Sequence, residues 1–181
     1  MPRIKQLLAA GQVVRVFAAG QLLSPKLIEI VGEHGEFDAL WLDFEHAGIS
    51  MKEIELATMA AKAYGMDHFV RLPATDYASV MRPLEAGAGG IMISMVRSAS
   101  EAEQAVRWAK FWPRGERGLN GGNRDGRFGL MSLPEYMAAA NAATSPVSSG
   151  HSTRSSSGTP LDRSFATKSA TGCPGCTSFW R

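Results

Sequence analysis

Residues 37–46 read FDALWLDFEH, and the stretch changes character halfway along. Up to Leu42 it is a short apolar run, the signature of a strand covered on its faces in a parallel sheet. Asp43, Glu45 and His46 then follow within four positions, where such a strand ends. Parallel α/β folds bind their ligands beyond the carboxyl ends of the strands, so titratable groups there are candidates for chemistry. The same residue types also serve as helix caps, structural ion-pair partners or surface histidines. Spacing alone leaves both readings open.

The pattern around this strand repeats. Residues 13–20 (VVRVFAAG), 68–73 (HFVRLP) and 89–96 (GGIMISMV) read as further strands. Segments 24–34, 51–64, 76–87 and 99–109 carry helical spacing between them, and a further helix is read over 133–143. Ser50, followed by Glu53, and Ser98, followed by Glu101, have the form of helix N-terminal caps. Alternating β and α segments predict an α/β fold, either an open doubly wound sheet or a (β/α)8 barrel. No GxGxxG follows the first strand, which argues against a dinucleotide-binding version. Arg71 ends the third strand, next to the cluster that ends the second. Arginine binds oxygen anions with two parallel hydrogen bonds and histidine moves a proton near neutral pH, so the set suits a carboxylate or oxo-acid substrate.

Composition sets the outer bounds. With 45% hydrophobic and 20% charged residues, the 181-residue chain has the make-up of a soluble globular protein. No apolar run approaches the ~20 residues of a membrane span. The start, MPRIKQLLAAGQ, is an amphipathic helix without a signal-peptide core, which predicts a cytoplasmic protein with no membrane partner. The net charge of +2 does not indicate nucleic-acid binding. Residues 1–144 hold 15 basic and 16 acidic side chains, so the excess lies in residues 145–181. Trp108, Phe111 and Trp112 are read as helix packing, and Met92 and Met95 as core. The glycine-rich stretch 115–129 lacks the Lys-Ser/Thr of a phosphate loop. Cys173 and Cys176 form a single CxxC pair with no second pair to complete a zinc site.

Segments FDALWLDFEHAGIS (37–50), FVRLPATD (69–76), LEAGAGGIMISMVRSASEAEQAV (84–106) and WPRGERGLNGG (112–122) occur in that order. Together they resemble the HpcH/HpaI-type class II aldolases, metal-dependent 2-oxo-acid lyases. The resemblance implies a (β/α)8 TIM-barrel-type fold that is a homo-oligomer at full length, and a small-molecule substrate. It further implies cleavage of a 4-hydroxy-2-oxo acid to pyruvate, or a related 2-oxo acid, and an aldehyde. By the same resemblance Arg71 contacts the substrate's keto oxygen and stabilises the enolate. His46 takes part in proton transfer at the aldol hydroxyl, and Glu85 orients that histidine. Asp43 and Glu45 match acids that hold waters and loops around the metal, and Phe17 an aromatic residue lining the site. The cofactor implied is a divalent ion: Mg2+, Mn2+ or Co2+.

The resemblance covers residues 1 to about 144 and then stops. The family's metal ligands, a glutamate and an aspartate, stand at the ends of strands five and six, and no such pair is found here. Residues 145–181 hold no glutamate, only Asp162 as an acid, and 15 Ser and Thr. Residues 1–144 are therefore expected to be the N-terminal part of a barrel, with about four βα units. Residues 145–181 are expected to be a disordered or frameshifted tail. Such a chain would leave the strand at 89–96 with an open edge, bind no metal and be inactive as written. The alternative is a non-catalytic remnant that binds a ligand or partner. Read one base out of frame, Cys173-Pro-Gly-Cys176 can encode Val-Pro-Gly-Val, a phrase the family carries before strand six. The expected outcome of translating the DNA after the Thr144 codon in all frames is an apolar strand ending in Gln-x-Glu or similar, then Val-Pro-Gly-Val. Three frames without such a strand would remove the frameshift.

Overall fold

In a computed structural model, which describes residues 3–144 and the backbone of a strand at 146–149, five strands form one parallel sheet in sequential order. Helix α1 (Arg3–Ala9) precedes β1 (Val16–Ala18), α2 (Pro25–His34), β2 (Ala39–Asp43) and α3 (Met51–Ala63). Then come β3 (Asp67–Leu72), α4 (Tyr77–Glu85), β4 (Gly90–Ser94), α5 (Ala99–Ala109), α6 (Leu133–Ala143) and β5 (Pro146–Ser149). Helices α2 to α6 all fall within the helical segments expected from the sequence. The first strand is shorter than expected, three residues in place of eight.

The helix boundaries follow from local chemistry. Ser50 accepts a hydrogen bond from the Glu53 N–H while the Glu53 carboxylate accepts from the Ser50 N–H, a reciprocal cap. Asp76 and Ser79 do the same for α4. Ser98 caps α5 by accepting from the Glu101 N–H. Helix α2 stops at Gly35, whose φ of 66° lies in the left-handed region that costs glycine little.

Parallel pairing aligns Trp41 with Phe69 and Asp43 with Arg71, and Arg71 with Met92 on the next strand. Side chains alternate between the two faces of a strand. Leu40, Leu42, Val70, Leu72, Ile91 and Ile93 are buried against Ile28, Ile54, Ala57, Val80, Leu84 and Ala105 of the helices. On the opposite face, Trp41, Asp43, Phe69, Arg71 and Met92 are half-exposed among the described residues. This second face carries the polar groups.

Two expectations are corrected here. Strand β4 is hydrogen-bonded along Ile91–Ser94 to β5, so its edge is not open. The sheet thus continues past the boundary drawn at 144 to Ser149, because the helix 133–143 returns the chain to the start of the next parallel strand. Met95 does not lie in the core. It follows β4 with a φ of 56° and is 65% exposed. Cys173, Cys176 and Asp162 lie outside the described residues.

Lys110, 8% exposed, ties α6 to the body. Its ammonium donates to the carbonyls of Asn141, at 2.5 Å, and Thr144, two groups the end of α6 leaves without intrahelical partners. Asn141 in turn pairs with the backbone N–H and C=O of Phe111. Burial, then the charges of Lys5 and Arg114, lower the Lys110 pKa to about 8. Replacing Lys110 by Met keeps the stem but strands both carbonyls. The expected result is a loss of about 1–3 kcal/mol in urea unfolding at pH 7. An unchanged midpoint would show that the lysine does not hold α6.

Candidate functional site

The site is built by register. Asp43 and Arg71 are direct partners at the carboxyl ends of β2 and β3, on the face away from the helices. Arg71 Nε donates to Asp43 Oδ1 at 3.0 Å and Nη2 to Oδ2 at 2.6 Å, a two-bond fork that matches guanidinium and carboxylate geometry. Arg71 Nε also lies 3.4 Å from Glu45 Oε2. Beneath the pair, the Arg71 guanidinium carbon sits 5.0 Å from the centre of the Trp41 ring.

Asp43 is held from a second side. Its Oδ1 accepts from the backbone N–H groups of Glu45, at 3.1 Å, and His46, at 3.2 Å. The carboxylate thereby folds the 44–46 turn around itself and presents Glu45 and His46 at the strand mouth. His46 Nε2 is 3.7 Å from Glu45 Oε2, and the His46 side chain is 71% exposed. Gln21, from the turn after β1, donates to the His46 carbonyl at 3.2 Å. Four of the expected residues, Asp43, Glu45, His46 and Arg71, are thus brought together.

Burial alone would raise the Asp43 pKa. Hydrogen bonds from Arg71 and from the His46 and Glu45 backbone, with the guanidinium charge, outweigh it and hold the carboxyl below its ordinary 3.8. The hydrogen bond to Asp43 also raises the Arg71 pKa. The guanidinium is permanently cationic at any working pH.

Glu85 stands elsewhere. Helix α4 runs back along β3, so its last residue lies at the opposite end of the sheet from Arg71. There His68, at the start of β3, reaches the Gly87 carbonyl at 2.8 Å. Glu85 receives Arg117 Nη2 at 2.6 Å, Asn120 at 3.1 Å and Asn123 at 2.9 Å. Within one chain it cannot orient His46, which corrects that expectation. Phe17 is also displaced from the site. Its register partner is the fully buried Leu40, so alternation turns it to the helix face, where its ring meets Phe37 edge-on at 5.3 Å. Sequence reasoning missed Trp41, whose position two residues before Asp43 was the available signal, and the Arg117 cluster around Glu85.

Among the described residues no group of three or more His, Cys, Asp or Glu side chains could hold a metal ion. Both Asp43 oxygens are already engaged by Arg71 and backbone donors. The described residues therefore do not fit the divalent ion as its ligands.

A parallel α/β sheet with an acid, a guanidinium and an imidazole at its strand mouth is the layout of an enzyme site. The HpcH/HpaI aldolase/citrate lyase family model matches residues 14–148, and the chain belongs to that family. It is 33% identical over 132 residues to a 5-keto-4-deoxy-D-glucarate aldolase of Salmonella paratyphi A, covering 73% of this chain and 50% of that protein. The corresponding protein of Klebsiella pneumoniae is 32% identical over 139 residues, with 77% and 53% covered. Among solved structures, the HpcH/HpaI aldolase from Desulfitobacterium hafniense superposes with a TM-score of 0.74 at 32% identity, covering 82% of this chain and 56% of that one. An HpcH/HpaI family protein of Burkholderia cenocepacia gives 0.72 at 28%, with 82% and 59% covered. The fold is that of an incomplete barrel of this type, and the chain spans about half the length of the curated relatives it matches.

Because the Asp43 pKa is lower in the folded chain, the Arg71 pair stabilises the fold fully above the unfolded carboxyl value, about pH 4. That contribution is lost as pH falls through the lower folded value. Wild type should therefore lose stability more steeply below about pH 4 than Asp43→Asn, read from urea midpoints across the acid range. Parallel acid limbs would mean that the pair contributes nothing.

Proposed function

We propose that this chain carries the enolate-binding and proton-transfer groups of a carbon–carbon lyase that cleaves a 4-hydroxy-2-oxo acid to pyruvate, or a related 2-oxo acid, and an aldehyde. The observation that supports this most directly is the fixed Arg71 guanidinium at the strand mouth. Two of its nitrogens are committed to Asp43 and Glu45, and Nη1 makes no hydrogen bond among the described residues.

Retro-aldol cleavage removes the proton of the C4 hydroxyl and breaks the C3–C4 bond. The bonding electrons pass to the C2 carbonyl oxygen, giving an enolate that is then protonated at C3. Arg71 supplies positive charge and a donor at the oxygen where negative charge develops. His46, exposed at the same mouth beside Glu45, takes the hydroxyl proton, since imidazole accepts and returns protons near neutral pH. Asp43 keeps the guanidinium in place and orders the turn that carries His46. The relatives named for 5-keto-4-deoxy-D-glucarate favour a sugar-derived 2-oxo acid as substrate. A divalent ion, Mg2+, Mn2+ or Co2+, belongs to this reading with ligands other than the described residues.

The reading extends to a cytoplasmic protein acting on a small molecule, as a homo-oligomer at full length, with neither nucleic acid nor membrane as partner. The near-neutral charge of residues 1–144 supports the first exclusion. For the second, no described helix is long and apolar enough to cross a membrane. Residues 1–149 act as the N-terminal part of the barrel, with the Ser- and Thr-rich remainder as a separate tail.

The test uses a chain whose barrel has been completed. Arg71→Ala should lower kcat/KM for pyruvate release by about 10²–10³-fold, as for loss of one oxyanion donor. His46→Ala should reshape the pH–rate profile. Near-wild-type rates in both variants would make the strand-mouth cluster structural.

A further inference from the structure

Arg71 is constrained in two directions. The fork to Asp43 fixes the guanidinium within its own plane, through Nε and Nη2. A carboxylate fork leaves rocking out of that plane weakly opposed. The group that opposes it is Trp41, with the guanidinium carbon 5.0 Å from its ring centre. The strand register creates this contact. Trp41 lies two residues before Asp43 on the same face of β2, and Phe69 lies two before Arg71 on β3, with Trp41 and Phe69 as direct partners. The long arginine side chain leans back along its strand and covers the indole.

Packing alone does not account for this placement. Trp41 is on the face away from the helices, whereas its neighbours Leu40 and Leu42 are 0% and 1% exposed and fill the core. An aromatic face attracts a cation through its quadrupole, and most strongly where water is partly excluded. The Arg71 side chain, at 21% exposed, meets that condition. Asp43 and Glu45 alone would set two carboxylates against one guanidinium and draw it toward themselves. The ring supplies attraction from a third direction without adding another negative charge.

We propose that Trp41 is a positioning residue: its indole face holds the Arg71 guanidinium in the orientation set by Asp43, so that Nη1 meets the developing enolate oxygen. This rests on the aldolase reading for its chemical consequence but not for its geometry, and the two are tested separately.

The geometric arm uses the 181-residue chain and follows the Arg71 Nε–H resonance by NMR, assigned by its loss in Arg71→Lys. A ring face next to the guanidinium shifts that resonance upfield and slows its exchange. Trp41→Phe should keep most of the shift, and Trp41→Leu should abolish it and speed exchange about tenfold. Should Trp41→Leu fail to fold, biosynthetic 5-fluorotryptophan preserves the shape of the ring while weakening its quadrupole, and should speed exchange in the same direction. An Nε–H resonance indifferent to both changes overturns the proposal.

The chemical arm uses the chain with its barrel completed and measures exchange of the pyruvate methyl protons with D2O, with Mg2+ present. In Trp41→Leu the rate at saturating pyruvate should fall about three- to thirtyfold, the worth of a partly desolvated cation–π contact, with KM little changed. Trp41→Phe should restore most of it. A Leu variant at the wild-type rate, or a Phe variant no better than Leu, overturns the positioning role. No exchange in the completed barrel without these substitutions counts against the aldolase reading, and the proposal is then decided by the resonance alone.

Discussion

The structure depends on the register between β2 and β3. Because partners in a parallel sheet share a face, aligning Asp43 with Arg71 also aligns Leu42 with Val70 beneath the helices and Trp41 with Phe69 on the other side. A slip of one residue would drive either the aspartate or the arginine into the apolar layer, where an unpaired charge costs several kcal/mol. The hydrophobic pattern and the ion pair thus specify the same alignment. The core keeps the site in register, and the site penalises any other packing of the core.

Much of this was legible in the sequence, for a definite reason. The strand at 39–43 is a near-continuous apolar run that ends in Asp43, and the caps at Ser50 and Ser98 are short-range chemistry that needs no tertiary knowledge. Family resemblance and strand-end logic agreed on Asp43, Glu45, His46 and Arg71. What failed was information about faces. The resemblance puts Phe17 at the site, but its side depends on register with Leu40, which one strand alone does not reveal. Glu85 was assigned to His46, although a helix that returns along a strand carries its last residue to the far end of the sheet. Met95 looked like the continuation of an apolar strand until the backbone turned left-handed there.

Two polar clusters therefore occupy opposite ends of the sheet. At one end Asp43 collects a guanidinium and two backbone donors. At the other Glu85 collects a guanidinium and two amides, with Tyr136 Oη receiving Asn123 at 2.9 Å and the Arg117 guanidinium stacked 4.6 Å from the Phe111 ring. The two share a design: one carboxylate, one arginine beside it, and an aromatic ring against the arginine. The second has a plain structural use, since it fastens the 117–123 segment to the end of α4.

The separation of these ends bears on how such a chain can change over generations. Substitutions in groups that share no partners have nearly additive effects. The residues around Arg71 can change without loosening the Glu85 cluster, and the 117–123 segment can be rebuilt without disturbing the strand mouth. The elements that lie between the two clusters keep a change in one from reaching the other, although the Asp43–Arg71 pair itself serves the fold and the strand mouth together.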